Sequence, residues 1–156
     1  MQTLFTNSLA RTPLWVVGAV LLSSCGAPLG PIPGGELQGV HNPWPSDWSY
    51  VEDIENVLLE TNPDNPYSVT IWGVGIGEDF FVGASKRSNQ WARNIEANPH
   101  VTLDVEGKLY LALAVRVVDA ELSNTLGEKF IAKYDMDPET LATNDGAFYH
   151  LRALTP

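Results

Sequence analysis

One cysteine in 156 residues, Cys25, leaves no intramolecular disulfide to staple this chain. Positive charge is scarce as well: nine Lys+Arg face nineteen Asp+Glu, for a formal net charge of -10. That balance excludes nucleic acid as a partner and disfavours adhesion to an anionic lipid face. The longest apolar run, Leu14 to Leu22, falls short of the ~20 residues a bilayer-spanning helix requires. There is no Gly-x-Ser-x-Gly elbow and no Walker loop. His41, His100 and His150 stand too far apart to share a metal in the usual ligand spacings. "GVGIGED" (73–79) lacks the third glycine of a dinucleotide loop and reads as a twisted hairpin, and "DMDPE" lacks calcium-loop spacing.

The first 24 residues do have an ordered pattern. One basic residue, Arg11, precedes the apolar run, no acid occurs before Glu36, and the run ends in Ser23-Ser24-Cys25. That is the layout of an export signal. "LLSSC" resembles the lipobox of bacterial lipoproteins, which implies cleavage before Cys25 and lipidation of its sulfur. The mature chain would be exported and anchored to a bacterial membrane without spanning it. Residues 26–45 hold five Gly and five Pro in twenty positions. They read with Cys25 as a tether over 25–45, leaving 46–156 as a single domain.

Within that domain, Trp48, Val51, Ile54 and Leu58 recur at three- and four-residue steps, which predicts a helix over 46–61. "YSVTIWGVGIG" and "EDFFVGAS" predict a hairpin. "NQWARNIEA" predicts a short helix stopped at Asn98-Pro99. Val101, Leu103 and Val105 alternate on one side of the next strand. Leu109, Leu111, Leu113, Val115 and Val117 alternate on the strand after it, with Gly107-Lys108 as the turn between. "ELSNTLGEKFIAKY" predicts a helix and "AFYHLRAL" a closing strand. The expected fold is mainly β with flanking helices, a small antiparallel barrel.

Three of the nine basic residues, Lys86, Arg87 and Arg93, crowd the start of the short helix. A helix N-terminus there, with Ser85 and Ser88 as hydroxyl donors, suits an anion. It equally suits a solvated turn capped by Ser88. Trp91 shares a helical face with Ile95, which favours a core position. The order Val82, Ser85-Lys86, Trp91, Asn94-Ile95, Ala97-Asn98-Pro99, then Val101 and Leu103, with Ala114–Val118 further on, resembles the flavin-binding split barrels related to pyridoxamine 5'-phosphate oxidase. Among them it is most similar to the deazaflavin-dependent nitroreductase group. The resemblance spans about 47–154.

It implies a split-barrel homodimer acting as an oxidoreductase on a small molecule of the quinone or nitro class. It also implies that FMN or a deazaflavin is held through its phosphate by Ser85, Lys86, Arg87 and Ser88, with Trp72 and Trp91 flanking the ring. No side chain stands out as catalytic, since such a cofactor carries the hydride chemistry. The loop "RSNQ" (87–90) is short and free of glycine. It leaves open an empty, non-catalytic barrel, or a haem barrel with His100 or His150 as axial ligand.

Overall fold

The computed structural model of this chain describes residues 26–141 and 145–154. The export signal and Cys25 lie outside them. The described residues form eight strands: β1 (Val40–His41), β2 (Val57–Thr61), β3 (Tyr67–Ile71), β4 (Gly73–Ile76), β5 (Asp79–Ala84), β6 (His100–Val105), β7 (Lys108–Arg116) and β8 (Ala147–Ala153). Helix α1 (Gln90–Ala97) joins β5 to β6, while α2 (Ala120–Tyr134) and the short α3 (Pro138–Leu141) join β7 to β8. The order across the sheet is β3-β2-β6-β7-β8-β5-β4, antiparallel at every step, and β1 adds in parallel to the start of β7.

The two outer strands of that order, β3 and β4, are consecutive in the chain, separated only by Trp72. The sheet therefore curls until its edges meet at Trp72, where the chain leaves one edge and joins the other. This is the antiparallel split barrel expected from the sequence. Its interior is packed with Trp48, Leu59, Phe80, Val82, Leu103, Tyr149 and Leu151, all fully buried. Helix α1 closes one end with Trp91, Ala92 and Ile95. Helix α2, capped by the Asp119 carboxylate accepting from Leu122 N–H at 2.8 Å, packs Leu126 and Phe130 outside the barrel on Val74 and Phe81.

Three local readings are corrected. The helix expected over 46–61 is a 3-10 turn, Ser49–Asp53, followed by strand β2. The three-residue steps Trp48, Val51, Ile54 are the 3-10 period. From Val57 onward, sheet partners on both sides decide the conformation. "YSVTIWGVGIG" is two strands rather than one, broken at Trp72. The β6–β7 hairpin pairs as expected, but it turns at Glu106-Gly107, both with positive φ (53° and 82°), not at Gly107-Lys108. The outward side of β7 is the one bearing Leu111 and Val115. Tyr110, Ala112 and Ala114 face the interior, which the large aromatics have already filled.

Residues 26–45 contact the barrel along their length. Gly34 exchanges two backbone bonds with Ser68, Leu37 is buried with its N–H donating to Glu60 Oε2 at 2.6 Å, and Trp44 Nε1–H donates to the Glu78 carbonyl at 2.9 Å. Burial pushes the Glu60 carboxyl up from its ordinary value, and the Leu37 N–H partly offsets this.

The Glu106 conformation has a measurable consequence. A left-handed backbone costs a non-glycine residue about 1–2 kcal/mol, and asparagine tolerates it better. Glu106→Asn is therefore expected to raise stability by about 1 kcal/mol in urea unfolding. An unchanged midpoint would show that the turn stores no such strain.

Candidate functional site

At the end of the barrel where β3 gives way to β4, a cavity of about 730 Å³ opens. That volume lies within the range of small-molecule and cofactor sites. Its walls come from elements distant in sequence: the end of β5 with Ser85, the loop carrying Arg87, the end of β7 with Arg116, the start of β8 with Phe148, and Trp72 at the break. The β5–β8 and β7–β8 ladders bring these ends together, pairing Ala84 with Ala147 and Arg116 with Tyr149.

Two arginines thus line one space in a strongly acidic protein. The backbone N–H of Arg87 donates to the Asp145 carbonyl at 2.8 Å, which fixes the loop that carries it. Arg116 Nε lies 3.6 Å from Glu96 Oε1, and both side chains remain about half exposed, so the pair leaves Arg116 free to take a stronger partner. The Tyr149 hydroxyl donates to the same Glu96 oxygen at 3.3 Å, and burial, followed by the Glu96 charge, pushes it up to about 12.

Trp72 is held from behind. Its ring stacks on Tyr134 with centroids 4.6 Å apart and planes 11° from parallel. The Tyr134 hydroxyl accepts from Gly73 N–H at 2.9 Å and donates to the Gly73 carbonyl at 2.8 Å. The Lys133 ammonium donates to the Val51 and Gly73 carbonyls at 2.7 and 2.8 Å, and burial lowers its pKa from the ordinary lysine value. Helix α2 therefore clamps the point at which the barrel splits, covering one face of Trp72 and leaving the other toward the cavity. Opposite, Gly83 has no side chain; a Cβ there would stand 3.3 Å from the Phe148 ring and 3.4 Å from Phe130.

Of the expected site residues, the cavity gathers Ser85, Arg87, Trp91 and Trp72. Lys86 and Ser88 are exposed and are not among its walls. Arg93 is turned aside: its guanidinium donates to the Ser88 carbonyl and to Gln90 Oε1. Trp91 is a core residue, buried edge-on against Tyr149, with one side reaching the cavity. Arg116, Asn56, Ser123 and Phe148 were not foreseen. The one local signal for Arg116 is a charge set inside the apolar run "ALAVRVV".

Neither histidine considered as a haem ligand lines the cavity. His150 is engaged at both nitrogens, Nε2 with Asp79 Oδ1 at 2.6 Å and Nδ1 accepting from Arg152 Nε–H at 3.2 Å. His100 pairs through Nδ1 with Asn98 at 2.9 Å.

Among the described residues, no His, Asp, Glu, Cys or Lys lines the cavity. The walls offer cationic donors, hydroxyls and aromatic faces, with no group that exchanges protons near neutral pH. Such walls suit an anionic, ring-bearing molecule. The residues fit a phosphate-bearing flavin-type cofactor: Arg87, Arg116 and Ser85 for the anion, Trp72 and Phe148 beside a ring.

A profile of the F420H(2)-dependent quinone reductase family matches residues 54–135, just over half of the chain. No curated protein matches. Solved structures share the fold. HutZ, the heme storage protein of Vibrio cholerae, is 19% identical with a TM-score of 0.57, over 69% of this chain and 87% of its own. A conserved hypothetical protein from Mycobacterium tuberculosis is 20% identical with a TM-score of 0.55, over 68% and 77%. A candidate pyridoxamine 5'-phosphate oxidase from Listeria innocua is 14% identical with a TM-score of 0.53, over 67% and 88%.

Proposed function

The chain belongs to the F420H(2)-dependent quinone reductase family, and from that premise we propose that it is a lipid-anchored oxidoreductase that binds a deazaflavin and reduces a quinone. The observation that carries this reading is the convergence of Arg87 and Arg116 on a cavity with aromatic walls. A bound reduced deazaflavin would supply the hydride equivalent that quinone reduction to a hydroquinone needs. The protein's share is positional. Arg87 and Arg116 would hold the anionic part, Ser85 would add a hydroxyl, and Trp72, stacked on Tyr134, would lie beside the ring. The packed barrel beneath the cavity limits water to one side.

Anchoring belongs to the same proposal: Cys25, following "LLSS", becomes the acylated N-terminus and holds the domain at a membrane where lipid-soluble quinones are dissolved. The working unit is a homodimer, joined through the outward side of β7, where Leu111 and Val115 are exposed.

The test is direct. Purified protein is titrated with F420 and, separately, with FMN, followed by absorbance, and the reduced deazaflavin complex is then mixed with a quinone. Deazaflavin binding with quinone-dependent oxidation supports the proposal. Binding of FMN alone, or of neither, overturns the deazaflavin reading. In cells, Cys25→Ser is expected to move most of the protein from the membrane to the soluble fraction, and unchanged membrane association of that variant would overturn the lipid anchor.

A further inference from the structure

Residues 26–35 contain none of the chain's nineteen Asp+Glu and nine Lys+Arg. This uncharged stretch folds back on itself. Leu29 and Ile32 exchange backbone bonds of 3.0 Å, Gly30 turns the chain at a φ of +56°, and Gly35 N–H returns to the Gly26 carbonyl at 2.8 Å. The returning arm is bonded to β3, where Gly34 and Ser68 exchange bonds of 2.9 and 3.0 Å. The outgoing arm lies so close to Gly34 that a Cβ there would stand 2.3 Å from the Gly26 carbonyl oxygen and 2.6 Å from the Pro28 nitrogen. Both arms are thus held at the barrel wall, with Pro28 and Gly34 buried, while residues 29–33 are all exposed.

The tip offers apolar surface and very few hydrogen-bond donors. Leu29 is 75% exposed and Ile32 63%, side by side across the turn. Pro28, Pro31 and Pro33 have no backbone N–H, and those of Leu29, Ile32, Gly34 and Gly35 donate within the protein. Across residues 28–35, Gly30 alone keeps an N–H with no partner among the described residues. An unpaired backbone donor is costly in an apolar medium. Most surface loops carry several and are confined to water; this one carries one. Its remaining carbonyls suit the boundary between headgroups and acyl chains, where water is still present, rather than the hydrocarbon centre.

We infer that this turn is a lipid-docking tip: Leu29 and Ile32 enter the headgroup–acyl boundary of the membrane that carries the anchor, and the barrel sits on that membrane in one orientation instead of swinging on a leash. The occupant follows from the chain itself. Cys25 immediately precedes Gly26, whose carbonyl is pinned to Gly35, so no slack separates an acylated Cys25 from the barrel wall. Leu29 lies four residues further on, a span of at most about 14 Å even when fully extended. A lipid surface that receives the acyl chains is therefore within reach of the tip. The lipid it fits is uncharged overall, because a net charge of -10 gives no attraction to anionic headgroups. The acyl chains supply residence on the membrane, and the tip supplies orientation. The inference rests on the lipid-anchor reading and is independent of cofactor and substrate.

The experiment uses the full protein purified from membranes, its acylation read by mass, and reconstituted into vesicles of zwitterionic phosphatidylcholine. Cys25 is the lone cysteine and acylation consumes its sulfur, so Pro31→Cys at the tip, or Glu128→Cys on the exposed side of α2, gives a single thiol for a polarity-sensitive fluorophore. Spin-labelled lipid is expected to quench the label at 31 at least about threefold more than the label at 128, since only the tip reaches the acyl boundary. High salt should leave that difference unchanged, because the contact is apolar. Adding Leu29→Ser/Ile32→Ser to Pro31→Cys should lower its quenching to the level at 128, while the protein still floats with the vesicles on its acyl chains. Equal quenching at 31 and 128 overturns the docking tip. So does a label at 31 that is already shielded in Cys25→Ser protein without vesicles, which would make a second copy of the chain the occupant. A purified chain without acyl mass removes the anchor reading and the docking with it; an acylated chain with an unshielded tip leaves the anchor standing and removes only the docking.

Discussion

Replacing Trp48 by alanine is expected to remove about 3–5 kcal/mol of folding stability, a large part of the ~5–15 kcal/mol of an ordinary domain. Among the described residues, no other is so fully surrounded by aromatic rings. Trp48 is 0% exposed, meets Trp44, Phe80 and Tyr110 edge-on with centroids 4.9–5.0 Å away, and stacks on Tyr50 at 5.8 Å. Its backbone N–H donates to Gly77, and the chain passes so close to Gly75 that a Cβ there would lie 2.4 Å from the Trp48 Cβ. Neighbours locked this tightly cannot collapse into the space an indole leaves, so the cavity term is added to the lost transfer energy.

The indole N–H has no partner among the described residues, which makes its burial a cost. Trp48→Phe, which keeps much of the volume and deletes that N–H, is expected to lose less than half as much. Urea unfolding of the two variants checks both figures, with a midpoint drop of roughly 10–20 °C for the alanine variant on heating. A loss below about 1 kcal/mol for Trp48→Ala would mean that the barrel does not depend on this cluster.

Trp48 also shows where local pattern stops being informative. Its spacing to Val51 and Ile54 is compatible with both helix and 3-10 turn, and nothing nearby in sequence reveals that Val57–Thr61 is claimed by β3 on one side and β6 on the other. The β6–β7 hairpin was legible because its partners are adjacent and its period is two. Which side of β7 faces inward was not. Leucine and valine outside, alanine inside, is sensible only once the interior is known to be filled by residues from elsewhere.

The same limit applies to the site. The cluster at 86–93 lies beside the cavity, but neighbouring loop residues point in different directions. Only the fold separates Arg87, which reaches the cavity, from Lys86, which does not, and from Arg93, which is consumed by Ser88 and Gln90. Arg116 comes from the far end of a nine-residue strand and is brought in by sheet pairing alone.

That division sets the last prediction. Arg87→Ala/Arg116→Ala is expected to weaken F420 binding by at least about a hundredfold, roughly 2.7 kcal/mol. Each guanidinium offers charge-assisted hydrogen bonds, of about 1.5–3 kcal/mol when the partner is desolvated. The half-exposed position of Arg116 argues for the low end of that range. Lys86→Ala and Arg93→Ala should leave affinity within about twofold, since neither side chain lines the cavity. Removal of both cavity arginines should barely change folding stability, because the pair of Arg116 with Glu96 is exposed and long, at 3.6 Å. A fluorescence titration of F420 into the wild type and the three variants reads all of this at once. If Lys86→Ala costs as much as the double variant, the anion lies on the outer side of the loop, and the cavity is not where the cofactor phosphate is held. If no variant differs from the wild type, binding draws on ring contacts alone, and Trp72 becomes the residue to replace.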